Sequence, residues 1–284
     1  MKMGVRTDIA VEFMADKTQN EQNVKVKKYD VEGIKVTNVE ILNESAAKEI
    51  GKPLGKYVTL EVDEGRNIFD SDMLREILVA EIRGLVGAIE GDILVVGIGN
   101  KTVTPDALGP KAAMGVFATR HISDSLKKQL GLSHMASVSV ISPGVLGQTG
   151  MEAQEIIKGA VERINPKAII IVDALAAREV SRLGRTVQLS NTGLAPGSGV
   201  GNSRTELSEK TLGVKCVTVG VPTVVDASTL SFDLTGKKRR EHEPLIVTPR
   251  DIDRMIEKSS QVIAYAINVA LQPENAFEVL SSCV

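Results

Sequence analysis

Residues 92–109 read DILVVGIGNKTVTPDALG, and residues 168–175 read AIIIVDAL. Each begins with an aliphatic run, and each carries an aspartate beyond it, Asp106 in the first and Asp173 in the second. A half-buried strand alternates apolar and polar residues, whereas an unbroken aliphatic run is what a parallel strand covered on both faces requires. The first stretch therefore predicts a strand over 92–97, a glycine-containing loop and a helix over 108–122. The second predicts a strand over 168–172 with Asp173 at its exit. Working outward, strands are expected over 34–42, 57–62, 137–141 and 215–221. A short helix is expected from an Asn43 cap through residue 50. A longer one is expected from an Asp70 cap to about residue 89, with Leu74, Ile77, Leu78, Ile82, Leu85 and Val86 on one face. Two further helices are expected over 148–164 and 248–271, the second with Thr248 as N-cap and Pro249 in the first position. Residues 16–28 are polar without a clean period and read as a loop or tethered segment. Repeated strand–helix alternation predicts one α/β domain, a three-layer sandwich around a mostly parallel sheet.

Composition narrows the function. The chain has 284 residues, 43% hydrophobic and 25% charged, which is ordinary for a globular protein. Aromatic residues are 3% and Trp is absent, so the core must be aliphatic. A net charge of -2 gives no electrostatic reason to expect nucleic acid or an anionic membrane as partner. Cys216 and Cys283 cannot build a disulfide framework, and a reduced, cytoplasmic setting is expected. Residues 1–4 hold no apolar stretch of a signal peptide, and no apolar run is long enough to span a bilayer. The basic run at 237–240 reads as a solvated loop.

Sites in open α/β sheets gather beyond the carboxyl ends of the strands. Asp106 stands where a loop turns into a helix, so it is either a capping residue or a functional carboxylate. Asp173 follows a buried strand, where it could serve a neighbouring loop or a site. If the two strands are neighbours, both carboxylates reach one edge of the sheet. Two close carboxylates resist ionising together, so one keeps its proton near neutral pH. Such a pair can activate water and protonate a leaving nitrogen, which is peptide hydrolysis without a covalent intermediate. Other chemistries fit less well. Gly97 and Gly99 lack the third glycine of a dinucleotide fingerprint, and neither a P-loop nor an H-E-x-x-H motif occurs. His121, His134 and His242 share no ligand spacing. Cys216 lies in an apolar run and reads as packing. Gly197-Ser198-Gly199 is too short for a nucleophile elbow. It belongs to a glycine-rich loop over 191–202, whose length and backbone freedom suggest close approach to a substrate.

Several motifs together carry a resemblance. They are VRTDIA at 5–10, TPDALGP at 104–110, PGVLGQTG at 143–150, VDALA at 172–176, PGSGVGN at 196–202 and GVPTVVDA at 220–227. The chain resembles the spore germination proteases of endospore-forming Firmicutes from near its N-terminus to about residue 270. The resemblance implies an inactive homotetrameric zymogen that removes a short N-terminal propeptide by self-cleavage. It implies small acid-soluble spore proteins as substrates, in the cytoplasm of the forespore and the spore core, without membrane or direct nucleic-acid binding. It also implies an atypical aspartic peptidase whose essential aspartates match Asp106 and Asp173. The Gly-x-Gly-Asn and Val-Asp-Ala segments look like those of hydrogenase maturation endopeptidases, which suggests a similar fold. That family holds a metal with two acidic residues and a histidine. No histidine is suitably placed here, so no metal or other cofactor is expected, and a metal-dependent peptidase or an inactive scaffold are the alternatives.

Substrates of the resembled family are cut after Glu in a segment like Thr-Glu-Ile-Ala-Ser-Glu-Phe. Residues 7–13 read TDIAVEF, so the chain carries a near copy of its own substrate. Self-processing is expected between Asp8 and Ile9, leaving 1–8 as propeptide and 9–284 as the peptidase domain. The shorter acid at Asp8 should fit an acid-reading pocket less well and slow the cut. Arg178, Arg182, Arg185 and Arg204 are all candidates to read the substrate acid, and Arg178 is counted among the expected substrate-binding residues. Further substrate contacts are expected at Asn100, Gly197, Ser198 and Gly199.

Overall fold

The computed structural model describes residues 7–14, 23–63, 68–88, 91–197, 204–235 and 245–282. Ser198, Gly199, Cys283, His242 and the basic run at 237–240 lie outside the described residues. Among the described residues, nine strands form one sheet: β1 (Val24–Val31), β2 (Ile34–Ile41), β3 (Gly55–Val62), β4 (Asp92–Gly97), β5 (Ser137–Ile141), β6 (Ala168–Ala177), β7 (Thr186–Ser190), β8 (Lys215–Asp226) and β9 (Ile246–Val247). Their order is β1-β2-β3-β7-β8-β6-β4-β5, with β9 on the far end of β8. The pairs β8–β6, β6–β4 and β4–β5 are parallel. The remaining pairs are antiparallel, so the expected parallel core is extended by an antiparallel wing.

The aliphatic runs sit where their composition requires. Val95, Ile170 and Val217 face a large core filled by the helices Asp72–Val86 and Ile252–Leu271, through residues such as Leu78, Ile82, Ile263 and Ile267. Leu94, Ile169 and Cys216 face the other way, against Ile157 and Val161 of the helix Ala153–Ile164. Helices on both faces of one sheet give the three layers.

Several boundaries differ from the sequence reading. The strand expected to end at Val172 runs on to Ala177, because β8 is also longer and stays paired with it through Ala177 and Val225. Asp173 therefore lies within β6, opposite Gly220 of β8, and not at a strand exit. Ser71, not Asp70, caps the helix that begins at Asp72, and its hydroxyl accepts from the Leu74 N–H. The helix at 108 stops at Met114, where Gly115 is the C-cap and its N–H turns back to the Ala112 carbonyl; a Cβ there would stand 2.8 Å from that of Ala264. The helix expected over 148–164 is two, Leu146–Thr149 and Ala153–Ile164, separated at Gly150. The helix expected from Thr248 begins at Ile252. Part of the polar 16–28 segment is strand: β1 is an edge strand whose outward residues are exposed, which is why it shows no apolar period. Strand β7 carries no sequence signal. Asn43 caps its helix as expected, accepting from the Ala46 N–H.

Candidate active site

The loop after β4 turns back on itself. Gly99 has φ 121°, and a Cβ there would lie 2.1 Å from the Asp106 carbonyl oxygen, so only glycine lets the two segments touch. That contact brings the Asn100 N–H to Asp106 Oδ2 at 2.8 Å. The following helix starts at Leu108 without a side-chain cap, so the capping role open to Asp106 is not taken. Its carboxylate faces a cleft instead, together with Asp173 from the neighbouring strand β6.

The two carboxylates differ in surroundings. Asp106 is half-buried, and burial raises its pKa, while the Asn100 N–H and the nearby Arg204 work against the rise. Asp173 is buried and is pushed well above the ordinary carboxylate range, by desolvation first and then by the negative charges of Asp106 and Asp8. Its Oδ1 accepts from the Ala174 N–H at 2.9 Å. The surroundings therefore favour the protonated form of Asp173 more strongly than that of Asp106.

The third carboxylate belongs to the chain's own N-terminal segment. Asp8 lines the cleft with Asp106 and Asp173. Its N–H donates to the Ala176 carbonyl at 2.8 Å, and the Ala176 N–H donates to Asp8 Oδ2 at 2.9 Å. The Asp8 carbonyl oxygen accepts from Lys52 Nζ at 2.9 Å and from Gln188 Nε2 at 3.0 Å. Ile9 is fully buried against Leu175, Ala177, Leu183 and Val225. From Ala10 the segment turns into a short helix, Ala10–Met14.

Glu12 anchors that helix. Its carboxylate accepts from the Arg178 N–H at 2.9 Å, the Glu179 N–H at 3.0 Å and the Thr7 hydroxyl, and pairs with Arg182 Nε at 3.1 Å. Arg182 also pairs with Glu61 of β3. Of the arginines considered, Arg182 thus meets this acid with its guanidinium, and Arg178 meets it with its backbone. Arg204 stands near Asp106 and pairs with Glu152 at 3.5 Å. Gly197 lines the cleft beside Asp173. Asn100 touches Asp106 through its N–H, while its side-chain oxygen accepts from Gln148 at 2.7 Å.

Sequence reasoning missed Lys52 and Gln188. Neither stands in a motif: Lys52 follows a helix end, and Gln188 lies on the unsignalled strand β7. The role of Glu12 had a signal, since it occupies the place of the second acid in the substrate-like segment.

A family model described as germination protease matches residues 5–236. Curated germination proteases are similar over most of the chain. One from Caldanaerobacter subterraneus subsp. tengcongensis is 38% identical, covering 95% of each chain. One from Clostridium perfringens is 40% identical, covering 96% of this chain and 97% of that one. One from Bacillus cytotoxicus is 43% identical over 82% of this chain and 66% of its own. Among solved structures, a NiFe hydrogenase maturation protease, HycI from Thermococcus kodakarensis, is 18% identical with a TM-score of 0.37, covering 66% of this chain and 98% of that one. The match to the family model and to full-length relatives establishes that this chain belongs to the germination protease family.

Proposed function

We propose that this germination endopeptidase cuts small acid-soluble spore proteins, and first itself between Asp8 and Ile9, with Asp106 as base and Asp173 as acid. Water held between the carboxylates gives a proton to Asp106 as its oxygen attacks the peptide carbonyl. Asp173 gives its proton to the departing nitrogen. The products are a carboxylate and an amine, and one water is consumed. Residues 1–8 are then the propeptide and 9–284 the peptidase domain. Assembly as a homotetramer and residence in the cytoplasm of the forespore and spore core belong to the same proposal and rest on the family resemblance. Among the described residues no helix is long and apolar enough to cross a membrane.

One observation carries the reading: the substrate-like segment 7–13 brings Asp8 into the cleft that Asp106 and Asp173 line. The negative charge of Asp8 adds to the burial that raises the Asp173 pKa, so the segment that is cut also favours the protonated acid. The test is mass spectrometry of the purified chain over time, for the parent and for Asp106→Asn and Asp173→Asn separately. The parent should acquire Ile9 as its N-terminus, and both variants should stay whole. Another N-terminus, or processing in either variant, refutes the assignment. Activity retained after exhaustive chelation supports two carboxylates alone, and activity lost and restored by a divalent cation supports metal ligation.

A further inference from the structure

Gln188 is clamped across the peptide bond after Asp8. Its Oε1 accepts from the Ala10 N–H at 2.6 Å, and its Nε2 donates to the Asp8 carbonyl at 3.0 Å. An N–H can only donate, so the Ala10 contact fixes the amide and leaves the NH₂ group for the Asp8 oxygen. Lys52 Nζ reaches the same oxygen at 2.9 Å. It is set there by the end of the helix Glu44–Ile50, where Gly51 at φ 78° reverses the chain, and its ammonium lies 5.0 Å from the centre of the Phe13 ring. Burial lowers the Lys52 pKa, against the opposing charges of Asp8 and Glu12.

We propose that Lys52 and Gln188 form the oxyanion-stabilising pair of the self-cleavage reaction, deepening and resting on the reading that Asp8–Ile9 is the bond cut. When water adds to the Asp8 carbonyl carbon, the C=O electron pair moves onto oxygen. The two donors already stand at the distance such an oxyanion needs. Asp173 is then spared for the nitrogen. The Ile9 N–H is held by Thr7 Oγ1 at 3.0 Å, so the nitrogen can take up the Asp173 proton through its emerging lone pair as the C–N bond breaks. An ammonium partly withdrawn from water contributes more to a developing negative charge than an exposed one.

The experiment uses the full-length chain and a form prepared to begin at Ile9. Self-cleavage is followed by mass spectrometry in the parent, Lys52→Met, Lys52→Gln and Gln188→Met. The forms beginning at Ile9 are then assayed on a synthetic peptide copying residues 3–17, giving kcat and KM. Losing one donor should lower the self-cleavage rate and kcat by roughly 100- to 1000-fold, with KM within about threefold. Lys52→Gln keeps a neutral donor, and its smaller loss is read if Lys52→Met does not fold. Unchanged kcat with a raised KM would show that the pair only holds the segment, and overturns the proposal. So would parent-like rates in all variants. Asp106→Asn separates the two readings: if it is inactive while the Lys52 and Gln188 variants are normal, only the oxyanion pair falls. If Asp106→Asn still cleaves, the two-aspartate reading itself falls.

Discussion

Buried in β6 beside two other carboxylates, Asp173 holds its proton above the ordinary range, and this couples stability to pH. Between the unfolded pKa, about 3.9, and the raised folded value, the folded chain keeps a proton that the unfolded chain has released. Stability from this group is therefore full below the unfolded pKa and is lost as pH rises through that window. Asp173→Asn is neutral at every pH and escapes the loss. Its melting temperature relative to the parent should rise as pH climbs above about 4. A constant difference across that range would contradict the burial effect. Glu12 offers a second test, of its ion pair. Its carboxylate is almost fully buried and pairs with Arg182, which also serves Glu61. Arg182→Ala removes the cation shared by two acids, leaving Glu12 only its hydrogen bonds from the Arg178 and Glu179 N–H groups and the Thr7 hydroxyl, and should cost up to about 3–5 kcal/mol, the usual penalty for breaking a buried pair. Denaturant unfolding measures it, and a change below about 1 kcal/mol would mean solvent replaces the guanidinium freely.

Elements position the site through close backbone approach. A Cβ on Gly109 would stand 2.2 Å from the Ile98 carbonyl oxygen and 2.4 Å from that of Val172. The helix that follows Asp106 thus sits directly on β4 and β6. Gly109→Ala should cost at least the roughly 1–3 kcal/mol of ordinary overpacking, since backbone cannot step aside as a side chain can. It should also depress self-cleavage by moving Asp106, as thermal melting and a processing time course would show; parent-like values in both would deny the contact. Burial explains what was legible in the sequence. Strands β4, β6 and β8 announce themselves because burial on both faces demands aliphatic runs, and TPDALG announces a loop joined to a helix. Strand β7 contributes Gln188 from an ordinary five-residue segment, and Lys52 reaches the site only through the helix end at Gly51. Their partners are 180 and 44 residues away in sequence, and no local pattern encodes such pairing.

At the scale of the whole molecule, the proposed cut at Asp8–Ile9 would change what the cleft can hold. Ile9 is fully buried among Leu175, Ala177, Leu183 and Val225 while it is joined to Asp8. Cleavage places a charged ammonium on that residue, and a charge without a partner is expensive to bury. The new terminus should therefore leave, surrendering about 1.5–3 kcal/mol of isoleucine burial, and the fragment ending at Asp8 loses its covalent tether. The processed protein should be less stable than the parent but more open at the end of β6. Hydrogen exchange should rise over residues 9–14 and 174–177 after processing and remain low in unprocessed Asp106→Asn. Equal protection in both forms would mean that Ile9 stays docked after the cut, and that self-processing does not by itself clear the cleft for an incoming substrate.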